Sequence, residues 1–182
     1  SLQLVLDGTT IRGWRWNHPA GKKVLIVHGF ESSATNFDRF IKPLIQKGYE
    51  VLAFDAPAHG RSDSKTITAP LYREMIKLVN QQFGPVQSYM AHSFGGLALS
   101  LALEDINHTN LYKMVLIAPA TETPTAIDSF FKFLRLDAAL RPEFEKIIIR
   151  NGGASSEWYS IKRAMSNISA EKGVFEFLEV AE

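Results

Sequence analysis

The sequence contains no cysteine among its 182 residues. This absence excludes disulfide bonds, thiolate metal sites and a cysteine nucleophile. No apolar run approaches the roughly 18 to 20 residues that are needed to span a bilayer, and the first residues lack the basic and apolar segments of a signal peptide. We therefore expect a cytoplasmic protein that makes no membrane contact.

Neither sign of charge dominates the sequence. The 20 basic and 19 acidic residues give a formal net charge of +1, and no long block of one sign occurs. Bulk electrostatics therefore give no reason to expect binding to nucleic acid. A hydrophobic content of 46% in a chain of this length is typical of one globular domain with a proper core. The composition does not indicate an oligomeric state.

Short β-prone runs alternate with amphipathic segments through the first 120 residues. The predicted strands are residues 2–6, 10–16, 24–27, 50–54, 86–90 and 113–118. The predicted helices between the later strands are residues 35–47, 71–82 and 94–103. This alternation predicts an α/β fold with a mostly parallel sheet flanked by helices.

The pattern changes after Pro119, since we identify no strand-like run beyond it. Helical candidates follow at residues 126–136, 144–149 and 158–165. We therefore expect three parts: an α/β core over residues 1–120, a helical lid insert over 121–168, and a C-terminal core helix within 169–182. Three phenylalanines of the first candidate helix either line an apolar substrate pocket or only hold the insert to the core: Phe130, Phe131 and Phe133.

Ser93 lies where a predicted buried strand meets an apolar helix, in the sequence Ala91-His92-Ser93-Phe94-Gly95. A serine at such a junction sits on a sharp, strained turn that exposes its hydroxyl above the sheet. The residues two before and two after it must be small. Here they are Ala91 and Gly95, so the usual G-x-S-x-G pattern appears as A-x-S-x-G. The alternative is a turn serine that only caps the helix, and the context favours the nucleophile.

A second short motif, His28-Gly29-Phe30, follows the predicted strand at residues 24–27. Glycine permits a sharp bend there, so the backbone N–H of Phe30 can point toward Ser93. Together with the N–H of Phe94 it would form a two-donor oxyanion hole. Because of its position, Phe30 is also our candidate for contact with substrate.

Residues 55–62 provide a third motif, D-A-P-A-H-G-R-S. Taken with the Ser93 junction and the loop at 28–30, this motif makes the chain similar to the α/β-hydrolase family over roughly residues 1–120. It resembles that family's D-x-P-G-H-G-x-S loop, with Ala58 in place of a glycine. The resemblance implies a parallel sheet with a lid, a Ser–acid–His triad and no cofactor or metal.

The sequence has little histidine, and none in the place that the resemblance requires. The family order is serine, acid, then histidine, yet only His108 follows Ser93, and it precedes a predicted strand at the wrong end of the sheet. Glu122, just after the predicted strand at 113–118, is a candidate acid. The other histidines are interpreted as structural or surface residues: His18, His28, His59 and His92.

The missing base leads to one expectation about the chain itself. Either the chain ends early and two strands of the sheet are absent, or an internal segment is missing. We expect the second, with a segment carrying the acid and the histidine near residues 167–173, because the stretch that follows resembles the family's closing helix. An intact mass equal to the 20.4 kDa of this chain would contradict that expectation.

The motifs predict hydrolysis of an ester or related acyl bond of a small molecule, through an acyl-enzyme on Ser93. Acyl transfer and thioester hydrolysis use the same machinery. A non-catalytic binding or scaffold protein is the alternative from another class, and the absent histidine is its support.

Overall fold

A seven-stranded sheet forms the centre of the computed structural model, which describes residues 1–106, 112–120, 122–168 and the backbone of 174–178. Its strands are β1 Leu2–Leu6, β2 Thr9–Trp16, β3 Lys22–Val27, β4 Tyr49–Phe54, β5 Ser88–His92, β6 Lys113–Ile117 and β7 Val174–Leu178. The spatial order is β1-β2-β4-β3-β5-β6-β7. β1 pairs antiparallel with β2, and β2 with β4, while every other pairing is parallel. The predicted α/β fold with a mostly parallel sheet is confirmed.

Six α-helices occur in the described residues: α1 Asp38–Gln46, α2 Ala69–Phe83, α3 Phe94–Leu103, α4 Thr123–Leu134, α5 Arg141–Gly152 and α6 Ile161–Asn167. The predicted helix at 35–47 divides into a short 3-10 turn, Ala34–Phe37, and α1. The helix predicted at 94–103 has the bounds of α3. No helix in this part of the chain combines the length and the apolar character that crossing a membrane requires.

Apolar side chains cover both faces of the sheet, as β3 shows. Leu25 and Val27 belong to the larger core cluster with α2 and α3, whereas Val24 and Ile26 belong to the cluster that includes α1. Successive residues of a strand point to opposite faces, so a strand covered on both faces is apolar throughout. This burial fixes the end of β3, and with it the position of the loop that follows.

The prediction of a C-terminal core helix is wrong where the structure describes the tail. Val174–Leu178 is the strand β7, whose backbone pairs in parallel with β6. Valine and phenylalanine favour strands, and the edge of β6 offers unpaired backbone groups that a strand can satisfy and a helix cannot. The strand removes one ground for a missing segment near residues 167–173, the helical character of the tail. The other ground, the absent histidine, is unaffected, so the missing segment stays a prediction.

A charged cluster fastens α6 to the end of α3. The Arg163 guanidinium donates to both carboxylate oxygens of Glu104, at 2.8 Å for the Nη1–Oε1 contact, and lies 4.3 Å from the centre of the Trp158 ring. Arg73 of α2 lies over the same ring at 5.6 Å. Burial raises the pKa of Glu104, but the hydrogen bonds from Arg163 and Asn167 outweigh it and hold that pKa below its ordinary value. The helices after β6 are therefore joined to the core by a paired, partly buried charge.

Candidate active site

Ser93 occupies the single residue between β5 and α3, with φ 50° and ψ −125°. Its N–H donates to the Ile117 carbonyl at 3.0 Å, and its own carbonyl accepts from the N–H groups of Gly96 at 2.9 Å and Ala120 at 3.2 Å. The side chain makes no capping hydrogen bond to the helix. A strained conformation that neighbouring backbone holds in place is common at functional sites, whereas the helix-capping interpretation has no hydrogen bond to support it.

The small residues on either side of Ser93 have a steric cause. Ala91 is fully buried within the sheet. A Cβ on Gly95 would overlap the carbonyl oxygen of His28 and lie 2.8 Å from that of Val27. The first turn of α3 therefore packs directly on the backbone at the end of β3, and only glycine leaves room for it.

The loop after β3 passes close to Ser93. A Cβ on Gly29 would lie 3.0 Å from the Cβ of Ser93 and 2.9 Å from Nδ1 of His92. Phe30 follows this glycine, and Phe94 begins α3, where the first amides of a helix lack intrahelical acceptors. Neither the Phe30 nor the Phe94 N–H donates to another atom within the described residues. The loop that carries Phe30 thus passes next to Ser93, and the role of the two amides as oxyanion donors stays a prediction.

His28 is a buried structural residue. Its Nε2 lies 2.8 Å from the amide nitrogen of Ala56, which can only donate, so Nε2 accepts and Nδ1 carries the proton that it donates to the Gly29 carbonyl at 2.7 Å. Burial lowers the pKa of His28 and keeps the ring neutral. The Tyr72 hydroxyl donates to the His28 carbonyl at 3.0 Å. Our sequence analysis missed Tyr72, although it lies three residues before Met75 on the apolar face of α2.

Asp55 joins the loop after β3 to its own loop after β4, at the carboxyl end of the sheet. Its buried carboxylate accepts from the N–H groups of Ala34 at 2.9 Å and Arg61 at 2.7 Å, and its carbonyl accepts from the Ser62 hydroxyl at 2.7 Å. Gly60, at φ 52°, lies so close that a Cβ there would overlap this carboxylate. The predicted motif at residues 55–62 therefore has a structural role: it holds the loops after β3 and β4 together.

We expect Ala58→Gly to stabilise the protein. Ala58 has φ 62°, in the left-handed region where a Cβ costs about 1 to 2 kcal/mol and glycine costs nothing. After the entropy that glycine loses on folding, the free energy of unfolding should rise by about 0.5 kcal/mol. Urea denaturation would measure it. Ala56→Gly is the matched control, because Ala56 is buried and has no positive φ. Equal destabilisation by both changes would contradict the prediction.

Two histidines are engaged elsewhere, as predicted for surface or structural residues. His59 accepts from the Glu31 N–H at 3.2 Å through Nε2 and donates to the Pro57 carbonyl at 2.9 Å through Nδ1. His18 pairs with the buried carboxylate of Glu50 at 2.8 Å, at the start of β4 and hence at the opposite end of the parallel strands from Ser93.

No histidine hydrogen-bonds the Ser93 hydroxyl within residues 1–106, 112–120 and 122–168. The ring of His92 lies beside that of Phe37, with centroids 6.5 Å apart. His108 lies outside the described residues. The same described ranges hold no group of three or more His, Asp or Glu side chains that could bind a metal ion.

Glu122 has a partner of its own. Its carboxylate accepts from the Ser160 hydroxyl at 2.9 Å, and the two residues form an isolated antiparallel bridge. Lys162 and Arg163 line the same polar surface pocket. This contact joins the start of α4 to the start of α6, and the role of Glu122 as an acid stays a prediction.

An apolar cavity of about 480 Å³ lies between the core helices and the helices that follow β6. Its walls come from the start of α2 and from α3, α4 and α5, and they include Ile67, Phe94, Leu97, Ile127, Phe144 and Ile148. We call this space the apolar cavity.

None of the three phenylalanines predicted for a pocket lines the apolar cavity. Phe131 is buried and packs edge-on against Phe144, with centroids 5.5 Å apart. Phe130 is 45% and Phe133 82% exposed. Of the three, only Phe131 is buried and so fits the alternative that these residues hold the insert to the core. The residue of α4 that faces the cavity is Ile127.

A second pocket, of about 490 Å³, is lined by Phe30, Glu31, His59 and Lys65. Ile67 lines both spaces, so the two pockets adjoin. The Phe30 side chain is 60% exposed. Its contact with substrate therefore stays a prediction, with space available beside it.

Comparison with known proteins supplies the family. A family model described as serine aminopeptidase, S33, matches residues 18–160. An uncharacterized hydrolase of Bacillus subtilis, YugF, is 32% identical over 107 residues, which are 56% of this chain and 39% of that protein. The human serine hydrolase-like protein is 29% identical over 101 residues, 53% of this chain and 49% of that protein. The chain thus spans less than half the length of either curated relative.

Among solved structures, an esterase from Pyrococcus furiosus is similar with a TM-score of 0.64. The superposition covers 98% of this chain and 80% of that one, at 18% sequence identity. At this identity the likeness shows the shared fold.

Proposed function

The chain belongs to the serine aminopeptidase, S33, family of α/β-hydrolases, and from this premise we propose that it hydrolyses an ester or related acyl bond of a small molecule through an acyl-enzyme on Ser93. The observation that carries the proposal is the strained Ser93 backbone beside two amides, of Phe30 and Phe94, that lack acceptors in the described chain. A cytoplasmic location of the protein is also part of the proposal.

In the proposed reaction, the Ser93 hydroxyl oxygen bonds to the carbonyl carbon while its proton passes to a histidine outside the described residues. The negative carbonyl oxygen accepts hydrogen bonds from the N–H groups of Phe30 and Phe94. The intermediate then expels the alcohol, which takes the proton from the histidine. Water repeats the sequence on the ester of Ser93 and releases the acid.

The loop that carries Phe30 is held before any substrate arrives. His28 and its carbonyl are fixed by bonds to Ala56 and Tyr72, and Gly95 packs on that carbonyl. A donor that is already in place costs no reorganisation during the reaction, and loss of one such donor typically lowers kcat by about 10² to 10³. This preorganisation supports acyl chemistry over a merely capping serine.

Fluorophosphonate labelling of the full-length protein tests the proposal. We expect one covalent adduct, located on Ser93 by mass spectrometry, because phosphonylation needs an activated serine. Ser93→Ala should lose the adduct, and Ser166→Ala, which changes an exposed serine of α6, should label as the unchanged protein does. If the unchanged protein labels no more than Ser93→Ala, the proposal is wrong and a non-catalytic binding or scaffold role takes its place.

A further inference from the structure

The apolar cavity has no charged group among its described lining residues. Its four polar side chains are those of Thr68, Thr123, Asn151 and Tyr159. Thr68 caps α2 by accepting from the Leu71 N–H at 3.2 Å, and the Tyr159 hydroxyl donates to the Gly152 carbonyl. These two hydroxyls are already used within the protein. The space therefore suits an uncharged, aliphatic occupant.

The cavity adjoins the proposed reaction centre through Phe94. The Phe94 side chain lines the cavity, its N–H is one of the two proposed oxyanion donors, and it directly follows Ser93. The second pocket, which carries Glu31 and Lys65, adjoins the same cavity at Ile67.

We infer that the apolar cavity binds the acyl chain of a medium-chain aliphatic ester. This inference rests on the proposed function, whose substrate class it names. The volume of 480 Å³ is about sixteen times the ~30 Å³ that a liquid water molecule occupies. A methylene group needs a similar space, so the cavity has room for at most about sixteen carbons. Since a flexible chain does not fill a cavity completely, we expect the optimum at about eight to twelve carbons.

The same lining argues against an aminoacyl substrate in this cavity. A free α-ammonium group has to be paired with a carboxylate when it leaves water, since a buried unpaired charge is strongly unfavourable. No Asp or Glu is among the described residues that line the cavity. The aliphatic ester is therefore the better match, even though the family model carries the description of an aminopeptidase.

A series of p-nitrophenyl esters, assayed with the full-length protein, tests the inference. Only the acyl chain varies, from two to sixteen carbons. Each buried methylene should raise kcat/KM by up to about fourfold, so octanoate should exceed acetate by about 100-fold or more. Beyond about twelve carbons the value should fall. The p-nitrophenyl ester of alanine, which has the same leaving group but an α-ammonium group on the acyl part, should be cleaved more slowly than the octanoate ester. A flat series, or a maximum at acetate, would overturn the inference.

Three variants locate the effect in the cavity. Phe144→Ala enlarges it and should move the optimum to longer chains, whereas Ala69→Leu fills space at the start of α2 and should move it to shorter ones. Phe133→Ala is the matched control on the same helical region, because Phe133 is exposed and lies outside the cavity. If Phe133→Ala moves the optimum as far as Phe144→Ala does, the assignment to this cavity is wrong.

Binding of decanoate to the Ser93→Ala protein, measured by calorimetry, separates this inference from the proposed function. We expect binding that Ala69→Leu weakens at least tenfold and Phe133→Ala does not change. Labelling at Ser93 together with a flat ester series would leave the function standing and remove the acyl-chain inference. Decanoate binding without labelling would leave the cavity assignment standing and contradict the proposed function.

Discussion

Replacing Ser93 by glycine should abolish hydrolysis and, in the same protein, raise the free energy of unfolding by about 1 kcal/mol. Ser93 has φ 50° and ψ −125°, a conformation that side chains disfavour and glycine adopts readily. Its side chain makes no capping hydrogen bond that the substitution would remove. The Cβ therefore costs stability at the position where the proposed chemistry requires a hydroxyl.

Ser93→Ala is the control that separates the hydroxyl from the backbone. It removes the nucleophile but keeps the Cβ, so both variants should lose hydrolysis by about 10⁴-fold or more, while only glycine gains stability. Urea denaturation gives the stabilities and ester hydrolysis gives the rates. Equal stability of the two variants would mean that the turn at Ser93 is not strained, and hydrolysis retained by either would exclude Ser93 as the nucleophile.

Local sequence was sufficient for the part of the site that surrounds Ser93. A buried strand, a serine between small residues and an all-apolar helix follow one another without interruption, and α3 has its predicted bounds. The steric demand that selects Gly95 comes from the backbone at the end of β3. It is visible in the sequence because glycine is the only residue that meets it.

Long-range pairing explains what the sequence did not predict. The run Val174–Leu178 has apolar residues that suit a helix or a strand, and the free edge of β6 decides for the strand. The walls of the apolar cavity depend on how α4 and α5 pack over α2, so periodicity along α4 could not choose between Ile127 and Phe131. The Tyr72 bond to His28 joins residues 44 positions apart.

The histidine base of the proposed triad could not be located from the sequence, for a different reason. A triad depends on residues far apart in the chain, and the histidines that the structure describes are engaged or directed elsewhere. The roles of Ser93 and of the two amides stay a proposal, and because no described histidine bonds the Ser93 hydroxyl, the proposed mechanism takes its base from outside the described residues.

Gly95→Ala should be among the most damaging single changes in the fold, while Gly96→Ala, one residue later in α3, should be tolerated. A Cβ on Gly95 overlaps the His28 carbonyl oxygen, and backbone at both ends of that contact cannot move freely. On Gly96 the nearest atom is the Cβ of Pro119 at 3.2 Å, which a few tenths of an ångström would relieve. Alanine also favours a helix over glycine by about 1 kcal/mol, which offsets that strain at position 96.

We therefore expect Gly95→Ala to lower the free energy of unfolding by about 3 kcal/mol or more, and Gly96→Ala to change it by less than about 1 kcal/mol. Gly95→Ala should also slow fluorophosphonate labelling by about 100-fold, because displacing α3 from the loop after β3 separates the Phe30 amide from Ser93 and Phe94. Urea denaturation and labelling rates measure both effects. Similar behaviour of the two variants would mean that α3 does not rest on the His28 carbonyl, and the proposed oxyanion geometry would lose its mechanical support.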